Sequence, residues 1–167
     1  MNRSLVRGYS PLQLVLHWGI AALVLFQLVF GESMGEAQRA AARGTILTGT
    51  DATLATAHYW VGIAVLALVL LRLVLRLTRS VPAPMETAGR LAARLAGVAH
   101  AAFYVLLVVV PVTGLLAVYV SPEFGDIHEI GKPVFIVLIA LHAAAALYHQ
   151  FWLRDGTLRR MLVPGAP

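Results

Sequence analysis

The chain has no cysteine among its 167 residues. Disulfides, thiolate ligands and cysteine-held iron–sulfur clusters are thereby excluded, and a protein-ligated metal must use imidazole or oxygen donors. Charge is scarce as well. Asp, Glu, Lys and Arg together make up 13% of the residues, against about 25% in soluble domains. Apolar residues reach 59%, an excess that one small core cannot hide because small proteins have too much surface per unit volume. A bilayer is the solvent that fits. The net charge of +5 sits mostly in arginines beside hydrophobic runs, which points to membrane orientation and not to nucleic acid. The length suits a single domain over residues 1–167. Met1 to Ser10 lack the long apolar region of a secretory signal, so no cleavage is expected.

What is present is four apolar stretches, about Pro11–Phe30, Ala55–Leu77, Leu95–Val120 and Pro133–Trp152. Each approaches or exceeds the roughly 20 residues a helix needs to cross the hydrocarbon core. Lipid offers no partner for backbone N–H and C=O groups, so such segments must be helical. The first start is well marked: Ser10 can N-cap, Pro11 suits the first helical position and Gln13 completes a capping box. Asp126 with Glu129 gives a similar signal ahead of the fourth span, which sets its start near Ile127 and places Pro133 inside it as a source of a kink. Ser80–Pro84 is a turn-rich linker, and no repeat or low-complexity segment is present.

Arginine placement gives an orientation. Arg3, Arg7, Arg72, Arg76, Arg79, Arg90, Arg94, Arg154, Arg159 and Arg160 fall on one side of a four-span arrangement. Arg39, Arg43 and Lys132 fall on the other, with Glu32, Glu36, Asp51, Glu123, Asp126 and Glu129. The positive-inside rule then puts both termini in the cytoplasm. Short connections favour antiparallel neighbours, so the expected fold is an all-α, up-down-up-down bundle of four transmembrane helices.

All six histidines, His17, His58, His100, His128, His142 and His149, lie in or beside the spans. Ionisable side chains are costly in a bilayer and usually face the bundle interior for a functional reason. A single such histidine can be a hydrogen bond between helices; six at matched depths ask for more. His128 and His142 are 14 residues apart, which leaves them within roughly 40° of one helix face and about 21 Å apart along the axis. His149 continues that face. By depth, His58 can meet His128 at the outer level, while His17 and also His100 can meet His142 at the inner one. Facing neutral imidazoles can ligate haem iron axially. Ala143 to Ala146 and Gly62 leave room beside a flat macrocycle, although alanine runs are ordinary in close helix packing. A proton or metal-ion pathway is the rival reading, and the lack of Asp or Glu in the central parts of the spans speaks against it.

Several blocks resemble the bacterial cytochrome b561 family. They are Tyr9 to Trp18 (YSPLQLVLHW), Ala57-His58, Ala99 to Tyr104 (AHAAFY), Pro111 to Gly114 (PVTG), Leu141 to Trp152 (LHAAAALYHQFW) and Arg154 to Met161 (RDGTLRRM). The resemblance runs from about Tyr9 to Met161 and is most specific in its last blocks. It implies a bacterial inner-membrane, multi-pass cytochrome with two haem b groups that exchanges electrons with ubiquinone. Within the family the chain resembles the superoxide-oxidising type, which implies periplasmic superoxide as donor and ubiquinone as acceptor. The runner-up is a membrane-anchor subunit that takes electrons from a partner dehydrogenase or hydrogenase.

Carried over by position, the resemblance implies that His17 and His142 ligate the cytoplasmic-side haem and that His58 and His128 ligate the outer one. His100 matches a recurring family histidine whose role stays open among inner-haem surroundings, a propionate partner and an alternative ligand. Arg72 and Arg76, one turn apart, can pair with haem propionates or snorkel to lipid phosphates. His149 can hydrogen-bond a quinone or donate its proton, with Tyr148, Gln150 and Trp152 nearby. Six carboxylates against three cations on the outer loops do not make an evident funnel for an anion.

Overall fold

The structure, a computed structural model, describes residues 8–79 and 89–165. Its elements in chain order are α1 (Pro11–Phe30), α2 (Glu32–Ala42), α3 (Gly49–Thr78), α4 (Gly89–Tyr119), α5 (Phe124–Tyr148), a single π-helical turn (His149–Leu153) and α6 (Thr157–Arg160). Among the described residues there is no strand. Four helices are long and apolar enough to span a membrane: α1, α3, α4, and α5 continued through the π turn. Arg3, Arg7 and the Ser80–Pro84 linker lie outside the described residues.

The start of α1 follows its local chemistry. The Ser10 hydroxyl accepts from the Gln13 amide at 3.3 Å, and the Gln13 side chain accepts from the Ser10 amide at 2.9 Å. Two otherwise orphaned N–H groups are thus satisfied, and Pro11 has none to lose. The other starts lie earlier than the apolar runs suggest. α3 begins at Gly49, six residues before Ala55, and its first turn holds Asp51. α5 begins at Phe124 with Asp126 inside its first turn, and no side chain caps it. The expected Asp126 cap is therefore corrected. Hydropathy marks where lipid begins, whereas these helices extend beyond it into water, where Thr and Asp side chains are well solvated. At 30 residues, α3 is about 45 Å long, well beyond the roughly 30 Å hydrocarbon core.

Side-chain partners fix the topology. Gln27, late on α1, bonds the backbone of His58, early on α3. Tyr59 on α3 meets Tyr119 at the end of α4, while Arg72 reaches back to Tyr104. His128, early on α5, bonds Val110, late on α4. Each neighbour therefore runs antiparallel to the last. Ile20, Val24, Val65, Val69 and Phe135 form the dry centre, with Leu106, Leu107 and Val110 of α4 packed against it. Large apolar residues such as Val15, Val29, Leu77, Val105 and Leu141 stay exposed along the outside, as helices solvated by lipid chains require. The ends divide cleanly. One carries the start of α1, α6 and most of the described arginines; the opposite end carries α2, which packs against α3.

Candidate functional site: paired histidines at two levels

Five of the six histidines gather in two places inside the bundle. Near the α2 end, the His58 and His128 rings are 5.9 Å apart between centroids. Toward the arginine-rich end, the His142 ring lies 6.4 Å from that of His17 and 5.7 Å from that of His100. Phe103 closes on His142 at 5.3 Å, and Trp18 on His17 at 5.2 Å. The depth matching expected from spacing thus brings both sets of rings together.

Two imidazoles that bind one iron from opposite sides have ring centres roughly 6 Å apart, given metal–nitrogen bonds of about 2 Å and the size of the ring. Both levels match that separation. The polar atoms agree. His128 Nδ1 lies 2.8 Å from the Val110 carbonyl oxygen, so Nδ1–H donates there and Nε2 keeps its lone pair for another partner. His58 Nδ1 is buried with no hydrogen-bond partner among the described residues, an unmet demand that is costly in so apolar a setting. Among the described residues, no three His, Asp or Glu side chains converge as they would around a bare metal ion. Facing pairs instead suit a group that brings its own equatorial ligands.

The seat of His128 explains the Pro111 to Gly114 block. The Val110 carbonyl accepts from both the Thr113 hydroxyl and His128, each at 2.8 Å. A Cβ on Gly114 would stand 2.9 Å from His128 Nδ1, and one on Gly131 would stand 2.6 Å from Val110. The two glycines let α4 and α5 approach until the ring reaches the carbonyl. Sequence reading quoted this block without its role, because the contact joins residues 18 positions apart.

Gln27 is a second residue that sequence reading missed. Its amide donates to the His58 carbonyl at 2.9 Å, and its Oε1 is buried without a partner. A Cβ on Gly62 would lie 3.2 Å from the Gln27 amide nitrogen. Gly62 therefore makes room for Gln27, a use its sequence position did not reveal.

At the arginine-rich end, Arg72 Nε donates to the Tyr104 hydroxyl at 3.3 Å. The Arg76 guanidinium sits 5.7 Å over the Tyr104 ring, a cation–π geometry. Arg72, Arg76 and Tyr104 line a small cavity with Tyr9 and Gln13. Neither arginine has a carboxylate partner among the described residues. Arg72 is also within electrostatic reach of His17 and His142. His149 stands apart from the paired histidines, in the π turn, with Nδ1 2.5 Å from Asp155 Oδ2.

The opposite end is acidic, and two of its cations are taken. Lys132 pairs with Glu32 at 2.8 Å and Arg39 with Glu36 at 2.6 Å. These partners hold the Glu32 and Glu36 carboxyls below their ordinary values, first by hydrogen bond and then by charge.

A family model described as prokaryotic cytochrome b561 matches residues 8–164. The chain belongs to this family. It is 37% identical to the protein named cytochrome b562 of Cereibacter sphaeroides, over 94% of this chain and 96% of that one. It is 28% identical to the protein named probable superoxide oxidase CybB of Yersinia pestis, over 93% and 96% of the two chains. The protein named cytochrome b561 homolog 1 of Escherichia coli is 25% identical over 97% and 98%. Family membership implies haem b binding and membrane electron transfer. With its four spans, this is a multi-pass bacterial membrane protein.

Proposed function

We propose that the chain carries two haem b groups, one held by His17 and His142 and the other by His58 and His128. On this reading it oxidises superoxide on the outer side of the bacterial inner membrane and reduces ubiquinone at the inner, arginine-rich end. The observation that carries the diheme reading is the pair of ring separations, 5.9 Å and 6.4 Å, at two depths of one bundle. At the inner level the rings of His17 and His100 both lie within about half an ångström of the roughly 6 Å separation from His142; the family resemblance favours His17 as the ligand and leaves His100 to the surroundings of the haem.

When bound, the irons would supply the one-electron redox change. The chain's own groups do the rest. The Val110 carbonyl fixes the tautomer and direction of His128 and raises its basicity as a ligand. Ile20, Val24, Val65, Val69 and Phe135 keep water from the space between the levels. Arg72 and Arg76, without carboxylate partners among the described residues, would hold haem propionates by charge-assisted hydrogen bonds. His149 serves the quinone as hydrogen-bond and proton donor. The cytoplasmic placement of both termini follows from the arginine asymmetry.

Superoxide as donor is supported by the likeness to the Yersinia pestis protein. A second reading, electron uptake from a partner dehydrogenase or hydrogenase, is favoured by the outer charges. Lys132 and Arg39 are already paired with Glu32 and Glu36, which leaves little to draw in a small anion. Stopped-flow mixing of the oxidised protein with superoxide separates the two. Haem reduction that superoxide dismutase abolishes supports the first. Haem that stays oxidised under superoxide, in protein that copurifies with a stoichiometric dehydrogenase, overturns it.

A further inference from the structure

Two groups at the arginine-rich end are organised more tightly than packing alone requires. The regular winding of α5 stops at Tyr148, and a five-residue π turn carries His149 to Leu153. Arg154 then takes a left-handed conformation at φ 51°, and Gly156 follows at φ 75°. A non-glycine residue is rarely left-handed without cause. This double reversal brings Asp155 back beneath His149, with the Asp155 amide 3.4 Å from the His149 carbonyl. The Asp155 side chain is fully buried, while His149 keeps 19% of its surface open.

The two carboxylate oxygens have separate tasks. Oδ1 accepts from the Thr157 amide at 3.0 Å, and Oδ2 from His149 Nδ1 at 2.5 Å. Asparagine would hold Thr157 equally well through its own oxygen. Toward His149, however, an asparagine would present its NH2 group where Asp155 offers an accepting oxygen. Burial works to raise the Asp155 pKa, yet the hydrogen bonds from His149 and Thr157 outweigh it and hold it at about 2. With Nδ1 committed, Nε2 is the remaining polar atom of the ring. The charged side chains on the adjoining turns, Arg154, Arg159 and Arg160, are all cations, and among the described residues Asp155 is the one carboxylate side chain at this end. Gln150 Oε1 is buried without a partner. A cavity of about 450 Å³ lies alongside, lined by Gln150, Phe151, Arg154, Gly156 and Arg159, the chain neighbours of both members of the couple.

We infer that Asp155 is the positioning residue of a proton-donating couple, fixing His149 so that its Nε2–H delivers protons to the quinone. This rests on the reading that ubiquinone is reduced at this end. Reduction to the quinol takes two electrons, which the outer donor provides singly, and two protons. In each transfer the Nε2–H bond of the imidazolium breaks and an O–H bond forms on a quinone carbonyl oxygen. His149 is left as the Nδ1–H tautomer, still bonded to Asp155, and is reprotonated by a solvent proton (H3O+ leaving H2O) that enters from the arginine-rich end. Asp155 stays ionised throughout, because its role is to set the tautomer and to stabilise the cation.

The test uses the haem-loaded protein with ubiquinone-1 as acceptor. Asp155→Asn is expected to lower kcat for quinone reduction at least about tenfold, with KM within about twofold, since the couple is asked for proton transfer and not for binding. The solvent deuterium isotope effect should rise as proton delivery becomes limiting. Haem content and the rate of haem reduction by dithionite should not change. His149→Gln, which leaves the Asp155–Thr157 contact in place, should show the same loss, and the double variant should be no worse than either single one. An Asp155→Asn protein with the kcat and isotope effect of the unaltered chain overturns this inference alone. An unaltered protein whose reduced haem ubiquinone-1 cannot reoxidise overturns the quinone reading and the inference with it.

Discussion

The seat of His128 can be tested by one methyl group. In Gly114→Ala, the new Cβ would stand 2.9 Å from His128 Nδ1 and 3.0 Å from Cε1. Ordinary contact would require the ring to retreat by about half an ångström, in an interior packed like a crystal. The ring is held by its 2.8 Å hydrogen bond to the Val110 carbonyl, so the retreat is at the expense of that bond. Replacing helical glycine with alanine gains about 1 kcal/mol of propensity. Stretching the bond and leaving a buried N–H poorly satisfied costs about 1–3 kcal/mol. The fold should therefore survive with little net change, while the site does not. Loss of such a supporting hydrogen bond typically costs about 10–100-fold in metal affinity. The variant should lose its outer haem on dilution or gel filtration while keeping the inner one. Any outer haem retained should show a raised midpoint potential, because the less basic imidazole favours the ferric state less. Gly97→Ala on the same helix meets nothing within 4 Å and serves as the control, with both haems and an unchanged potential. Outer haem of unaltered retention and potential in Gly114→Ala would refute the reasoning.

Gln27→Leu removes the donor to the His58 carbonyl and the buried orphan Oε1 together. It is expected to shift the outer-haem potential while leaving the inner one in place, as read by redox titration of the α-band. Lys132→Ala breaks a pair whose Lys and Glu side chains are 42% and 84% exposed, so solvent screening should leave the melting temperature nearly unchanged. Asp155 titrates at about 2 against an ordinary 3.8. A carboxylate with a depressed folded-state value contributes stability that is complete above the unfolded value and is lost as pH falls through the folded one. Melting temperature should therefore drop between about pH 4 and pH 2 in the unaltered chain and drop less in Asp155→Asn.

Much of this architecture is readable in the sequence because membrane physics leaves few choices. Twenty apolar residues opened by Ser10, Pro11 and Gln13 have one satisfactory solution in lipid, and α1 adopts it. Histidine depths follow from helical rise alone, so His58 could be set against His128, and His17 and His100 against His142, before any fold was known. Other features follow from rules that hydropathy does not carry. α2 is an 11-residue helix rich in alanine and polar residues, too short and too polar to register as a span. The early starts of α3 and α5 lie in water, where hydrophobicity says nothing about helix ends. Gln27, Thr113 and Gly114 matter through contacts between helices, which no local pattern encodes. Asp155 reaches His149 only because a π turn and a left-handed Arg154 reverse the chain, and a uniform 3.6-residue periodicity anticipates neither.

The central claim is that two histidine pairs each hold one haem. The most direct measurement is a pyridine haemochrome count per chain, with reduced-minus-oxidised spectra, on the unaltered protein and on His142→Ala. The account expects two haem b groups in the first and a single, outer haem in the second. Two haems retained in His142→Ala would contradict the ligand assignment. One haem or none in folded, unaltered protein from haem-replete cells would contradict the diheme reading itself.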